Sequence, residues 1–127
     1  MMLTYTKKKK PLVSIIMNCY NGEKFVSQSL KSIKLQTYGN WELIFWDNKS
    51  TDNSEKIIKN YSDKRIRFFK SKKFLNLYSA RNLAIKKARG KYISFLDVDD
   101  LWKKDKLQKQ VSFLKKNKDF KLSLIHI

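Results

Sequence analysis

Leu12-Val13-Ser14-Ile15-Ile16-Met17 is a near-continuous apolar run, β-branched at Val13, Ile15 and Ile16. A strand covered on both faces reads this way, whereas a half-buried strand alternates. Tyr20-Asn21-Gly22 breaks the run. Over residues 23–36, apolar residues recur at Phe25/Val26, Leu30 and Ile33, the period of an amphipathic helix. Trp41-Glu42-Leu43-Ile44-Phe45-Trp46 reads as a second strand. It ends in the polar turn Asp47-Asn48-Lys49-Ser50-Thr51-Asp52, where Ser50, Thr51 or Asp52 is placed to cap a short helix over 53–61. Ile66-Arg67-Phe68-Phe69 is a third strand. Ala80, Ala84 and Ala88 then form a small-residue stripe that lets a helix lie close on a sheet, with Arg89-Gly90 expected to stop it. Tyr92-Ile93-Ser94-Phe95-Leu96 is a fourth strand, running into Asp97-Val98-Asp99-Asp100. Leu107, Val111 and Leu114 mark a lysine-rich helix, and residues 121–127 are expected to begin a fifth strand.

Strands alternating with helices at this spacing predict an α/β layered domain with a mostly parallel sheet. Ligands of such sheets bind outside the carboxyl ends of the strands. The polar clusters obey that rule: residues 18–23 follow the first strand, 47–52 the second and 97–100 the fourth.

The 127 residues amount to one modest domain or part of one. With 42% hydrophobic residues, 3 Gly and 1 Pro, the chain can bury a core and is not a disordered linker. A single cysteine, Cys19, excludes an internal disulfide framework and a multi-cysteine zinc site. A single histidine, His126, argues against a Ser-His-Asp or histidine-rich metal centre. Lys7 to Lys10 followed by an apolar stretch imitates a signal peptide. That stretch is short, ends in Asn18 and has no small-residue cleavage site. No run approaches the roughly 18 apolar residues that span a bilayer. The chain therefore reads as cytoplasmic, with lysines available for peripheral contact with an anionic membrane.

Lys and Arg number 29 against 11 Asp and Glu, a formal net charge of +18. Five of those few acids, Asp47, Asp52, Asp97, Asp99 and Asp100, fall in two strand-end loops. Three aspartates in four positions repel one another unless a cation or strong donors compensate. Such a turn can offer oxygens to a hard divalent ion, Mg2+ or Mn2+, which keeps open positions for water and phosphate oxygens. The plainer reading is a solvated turn in which Asp99 or Asp100 caps the next helix.

Taken in order, Val13-Ser14-Ile15-Ile16, Tyr20-Asn21-Gly22-Glu23, Trp46 to Asp52, Ala80-Arg81-Asn82 and Phe95 to Trp102 resemble the family 2 glycosyltransferases. The resemblance spans about residues 11–114 and implies the GT-A fold, a Rossmann-like nucleotide-sugar-binding α/β domain. It further implies transfer of a sugar, with inversion, from a nucleoside-diphosphate sugar to a glycan or lipid-linked acceptor, a UDP-sugar being the favoured donor. Residues 18–23, among them Asn18, Tyr20, Asn21 and Glu23, would line the nucleoside pocket with Tyr20 near the base. Asp47 and Asn48 would contact base or ribose, and Arg81 would approach the nucleotide or its diphosphate. Asp97 would lie near ribose and metal, with Asp99 as principal metal ligand. Two departures stand out. Asn48 occupies a position where the family often has a second aspartate. Lys49 replaces a common glycine, implying a different turn geometry.

Each residue also has a plainer reading. Tyr20 can be a core-rim aromatic, Asp47 a turn former, Arg81 a solvated helix residue, Trp102 a packing anchor and Cys19 a buried small hydrophobe. The family's general base lies well downstream of the Asp-x-Asp motif, and neither Asp105 nor Asp119 is assigned that role. The chain accordingly reads as a basic leader over residues 1–10, then the donor-binding N-terminal half of a longer enzyme over 11–127. Its open sheet edge would favour association. The rival reading from charge is a nucleic-acid-binding domain, against which no recognisable motif is present and the lysines are dispersed. A non-catalytic remnant is a third reading.

Overall fold

The computed structural model describes residues 10–117 and the short strand at 124–125. The expected leader over 1–10 therefore lies outside the described residues except for Lys10, as does His126. The element order is β1 (Val13–Cys19), α1 (Val26–Lys34), β2 (Trp41–Asp47), α2 (Ser54–Lys59), β3 (Ile66–Lys70), α3 (Leu77–Lys86), β4 (Tyr92–Phe95), α4 (Lys106–Lys116) and β5 (Leu124–Ile125). The five strands form one sheet in the order β3-β2-β1-β4-β5, and every pair is parallel. The chain steps from β1 outward through β2 to β3, then returns to place β4 on the other side of β1. That reversal makes the carboxyl ends of β1 and β4 the topological switch point.

The apolar run of β1 is buried because both sheet faces are covered. Val13, Ile15, Met17, Leu43 and Phe45 share one core with Val26, Leu30 and Ile33 of α1, Ile58 of α2 and Leu107, Val111 and Leu114 of α4. Ile16, Ile44, Trp46 and Phe95 face the other way, onto Ala80 and Ala84 of α3. Those two alanines are completely buried, and their missing bulk brings the helix against the strands. Cys19 and Trp102 are buried in the first core, as packing residues would be.

Several boundaries differ from expectation. β1 extends to Cys19 and β2 to Asp47, because Asn18 pairs with Trp46 and Cys19 with Asp47 in the ladder. Helix α1 starts at Val26, not residue 23: Phe25 and Val26 both donate to the Gly22 carbonyl, at 2.9 and 3.0 Å, in a preceding turn. It ends at Lys34, two residues before Gln36. The buried Gln36 side chain donates to the Ser32 and Lys103 carbonyls (3.1 and 2.7 Å) and accepts from Leu107 N–H (3.1 Å), pinning α1 to the start of α4. The residue at the α2 N-cap is Asn53, which makes no side-chain cap bond; Asp52 instead accepts from the Ser54 N–H and hydroxyl. Helix α4 begins at Lys106, so neither Asp99 nor Asp100 caps it.

Helix α3 ends with Lys87 as its C-cap, three residues short of Gly90. Gly90 has no positive φ, so its role is not the left-handed stop. A Cβ there would lie 2.6 Å from Ser14 Oγ and 2.7 Å from the Leu12 carbonyl and Ser14 N. Backbone cannot yield as a flexible side chain can. Gly90→Ala is expected to destabilise the fold by about 1–3 kcal/mol through overpacking, read as a lower urea midpoint; a loss within about 0.5 kcal/mol, the usual range for a neutral surface change, would show the turn can move.

The close approach at Gly90 belongs to a polar cluster at the amino end of the sheet. Glu42, only 6% exposed, accepts from Ser14 Oγ (2.5 Å), Arg89 N–H (2.6 Å) and Arg67 Nη1 (3.0 Å). Ser14 Oγ accepts in turn from Gly90 N–H at 2.8 Å, and Arg67 also donates to the Lys87 carbonyl. This cluster joins β1, β2, β3 and the α3–β4 turn, at the opposite end from the strand-end loops.

Candidate functional site

At the carboxyl edge of the sheet, the loops after β1 and β2 exchange hydrogen bonds in both directions. Asn21 takes a left-handed φ of 49°. Its side-chain Oδ1 accepts from Thr51 N–H at 2.8 Å and Asp52 N–H at 3.3 Å, while its backbone N–H donates to Ser50 Oγ. Gly22 N–H donates to Ser54 Oγ and Glu23 N–H to Asp52. Glu23 returns a bond by accepting from Asn53 N–H at 3.2 Å. Lys49 adopts φ 59°, so the turn keeps the left-handed geometry that glycine favours, and the different geometry expected from its side chain is not found. The cost is of order 1–2 kcal/mol, offset by the surrounding bonds.

Burial pushes the Asp52 carboxyl up, but the Ser54 hydroxyl and N–H and the Glu23 N–H outweigh that and hold it below the usual carboxylate range. A depressed folded-state value means the stabilisation is complete above the unfolded value of about 3.9 and is lost as the pH falls through the folded one. The thermal midpoint of the parent chain is therefore expected to drop more steeply than that of Asp52→Asn below about pH 3.9. Parallel pH profiles would show that this carboxylate contributes nothing. Burial also raises the Cys19 thiol, although the Ser54 side chain and the Gly22 backbone oppose it. That is the setting of an inert buried cysteine.

Asp47 is fully buried. One carboxylate oxygen accepts from Ser50 N–H at 3.0 Å, as a turn former's would, and the other has no hydrogen-bond partner. Asn48 is also buried. Its amide donates to the Leu75 carbonyl at 2.7 Å and accepts from Leu75 N–H at 3.0 Å. Both ends of the amide expected to meet a base edge are thus engaged with backbone.

Beside Asn48 lies a cleft of about 180 Å³ lined by Asn18, Cys19, Tyr20, Asn48, Phe74, Leu75, Leu77 and Ala80. Tyr20 and Phe74 meet edge to face, ring centroids 4.8 Å apart. Arg81 projects from α3 towards Asp97, Nη2 to Oδ1 at 3.9 Å, with its guanidinium 4.9 Å from the Phe95 ring centre. One carboxylate oxygen from each of Asp97, Asp99 and Asp100 lies within 4.8 Å of the other two, and all three residues are exposed. Three clustered hard oxygen donors suit a divalent ion such as Mg2+ or Mn2+.

The structure thus brings Asn18, Tyr20 and Asn48 to one cleft, and Arg81 to the aspartates at the switch point. Asn21 and Glu23 instead bind the loop after β2 and do not line the cleft. Asp100 joins the acidic group beyond the Asp97 and Asp99 pair. Phe74, Leu75 and Leu77 belong to no recognised motif; their one sequence signal was a group of large apolar residues following Lys72-Lys73.

The sequence profile described as "Glycosyl transferase family 2" matches residues 14–125. Among curated proteins, the chain is 44% identical over 106 residues to the Escherichia coli UDP-Glc:alpha-D-GlcNAc-diphosphoundecaprenol beta-1,3-glucosyltransferase WfgD, covering 84% of this chain and 42% of that protein. It is 40% identical over 107 residues to the Bacillus subtilis putative teichuronic acid biosynthesis glycosyltransferase TuaG, covering 83% and 42%. The chain thus spans less than half the length of these relatives. Among solved structures, S. aureus TarS 1–349 in complex with UDP superposes with a TM-score of 0.77 at 28% identity, over 82% of this chain and 32% of that one. The mannosyltransferase PcManGT from Pyrobaculum calidifontis, in complex with GDP-Man and Mn2+, gives 0.78 at 25% identity, over 84% and 33%.

Proposed function

The chain belongs to glycosyl transferase family 2, and from that premise we propose that it carries the donor and metal site of an enzyme that moves a sugar from a nucleoside-diphosphate sugar to a glycan or lipid-linked acceptor. A UDP-sugar is the favoured donor: the E. coli relative is named for UDP-Glc and the TarS structure holds UDP. The observation that carries this reading is the approach of Arg81 to Asp97, which forms one acidic group with Asp99 and Asp100, at the switch point of the sheet. Family membership favours this reading over nucleic-acid binding or a non-catalytic remnant.

Each residue has a part in it. Tyr20 and Asn18 contact the nucleoside in the cleft, while Asp47, fully buried and outside the cleft lining, holds the turn behind them by accepting from Ser50 N–H. Asn21 and Glu23 hold the β1 loop in place for them. Asp97 and Asp99 hold Mg2+ or Mn2+, with Asp100 alongside. When bound, that ion neutralises charge developing on a departing diphosphate. Arg81 adds a fixed positive charge facing the same phosphates and offsets the repulsion among the aspartates. Transfer proceeds with inversion, using a general base that is not among the residues assigned. Among the described residues, no helix is long and apolar enough to cross a membrane. The protein works on the cytoplasmic side, its lysines attracting it to anionic lipid and lipid-linked acceptors.

Calorimetric titration of the full chain with UDP- and GDP-sugars, with and without Mn2+, tests this function. Binding strengthened by the metal is the expected result. Absence of nucleotide binding under both conditions would overturn it.

A further inference from the structure

The cleft has an aromatic wall of two rings, of which only Tyr20 belongs to a recognised motif. Phe74 is 58% exposed and Tyr20 is 51% exposed, yet their rings are in contact and both line the cleft. Phe74 sits in a segment fixed from one side by the end of β2. Ser71 N–H donates to the Asp47 carbonyl at 2.8 Å, and Ser71 Oγ to the Lys73 carbonyl at 2.6 Å. One residue beyond Phe74, Asn48 holds Leu75 by its N–H and its carbonyl together. An exposed aromatic ring on a pinned backbone loses little conformational freedom when a flat ligand covers it. At about 180 Å³ the cleft falls below the roughly 300–1,000 Å³ of pockets that swallow a drug-sized ligand. It suits one heterocycle, with the remainder of the donor lying outside towards Arg81.

We propose that Phe74 is the nucleobase-packing residue of this cleft, and that Asn48 is a positioning residue which acts through Leu75 to present it. The inference rests on the nucleotide-donor reading above. It gives Asn48 a different task from direct contact with the base, since its donor and its acceptor are already used on Leu75. Stacking on an aromatic ring tolerates any base, so Phe74 supplies affinity and the polar cleft residues supply choice.

The test is calorimetric titration of the full chain with UDP, GDP and inorganic pyrophosphate, all with Mn2+. Phe74→Ala is expected to weaken the nucleoside diphosphate about tenfold, the size of one lost base–aromatic stack, and to leave pyrophosphate unchanged. Phe74→Tyr should bind as the parent does. Asn48→Asp can still accept from Leu75 N–H but cannot donate to its carbonyl, so it should weaken the nucleotide and again spare pyrophosphate. Asn48→Ala combined with Phe74→Ala should lose no more than Phe74→Ala alone, because the two act through one platform. A folded Phe74→Ala chain that binds nucleotide as tightly as the parent would overturn the inference. An Asn48→Asp chain that binds as tightly as the parent would overturn its positioning role. A parent chain that binds neither nucleotide nor pyrophosphate would bring down the donor-site reading itself, a separate and recognisable result.

Discussion

Asp99→Ala is expected to remove the metal dependence of nucleotide-sugar binding and to reduce turnover of the full protein on the order of a thousandfold. A divalent ion supplies several kcal/mol of charge stabilisation, and each 1.36 kcal/mol is tenfold in rate. The three carboxylates share one small, exposed space; a hard ion such as Mg2+ is commonly held by only one or two carboxylates together with phosphate oxygens, so losing the carboxylate with the principal part removes much of the protein's hold on it. The Arg81–Asp97 contact, at 3.9 Å, does not depend on Asp99 and should survive. Titration of UDP-sugar against Mn2+ reads the first effect and sugar transfer the second. Binding that still tightens with Mn2+ to the same degree would remove Asp99 from the metal site.

Glu42→Ala is expected to cost about 3–5 kcal/mol of stability, the usual penalty for stripping the partner from a buried ion pair. That is a large share of the roughly 5–15 kcal/mol that holds a domain together. The change leaves the half-buried Arg67 guanidinium with no carboxylate, only the Lys87 carbonyl and the Phe69 ring, and leaves Ser14 Oγ and Arg89 N–H without their acceptor. Glu42→Gln keeps an acceptor in place and should cost less. Urea unfolding with an unchanged slope gives the difference directly. A loss below about 1 kcal/mol would mean the pair behaves as a surface ion pair does. Since the cluster sits at the amino end of the sheet, nucleotide binding by the folded fraction should be unaffected.

What periodicity can express was legible in the sequence. The run at β1, the alternation of strands and helices, and the Ala80 and Ala84 stripe fixed the layers because each signal is local and repeats along the chain. The Asp97 to Asp100 group stood out because acids are scarce against the basic background. The bonds of Asn21 and Glu23 were not legible, because their partners lie about thirty residues away on a neighbouring loop. Glu42 was hidden for the same reason, its partners coming from three other parts of the chain. At Lys49 residue type pointed away from a left-handed turn, and the reciprocal loop bonds impose one regardless. Gly90 ends no helix; it leaves room for a backbone crossing that only the folded sheet creates.

The Gln36 side chain has an effect on the aspartates at a distance. Leu96 N–H is held by the Ile16 carbonyl at one end of the acidic segment. At the other end, Lys103 and Leu107 are held by Gln36, and the Lys104 carbonyl by Thr37 N–H at 2.8 Å. The intervening stretch is a short span between two fixed ends, with Trp102 buried beneath it. Much of the entropy that a loose loop would surrender on closing around an ion has been spent during folding. Gln36→Ala should therefore act as a remote affinity mutation: the aspartates stay in sequence and in charge, and the cation binds more weakly because it must order the loop itself.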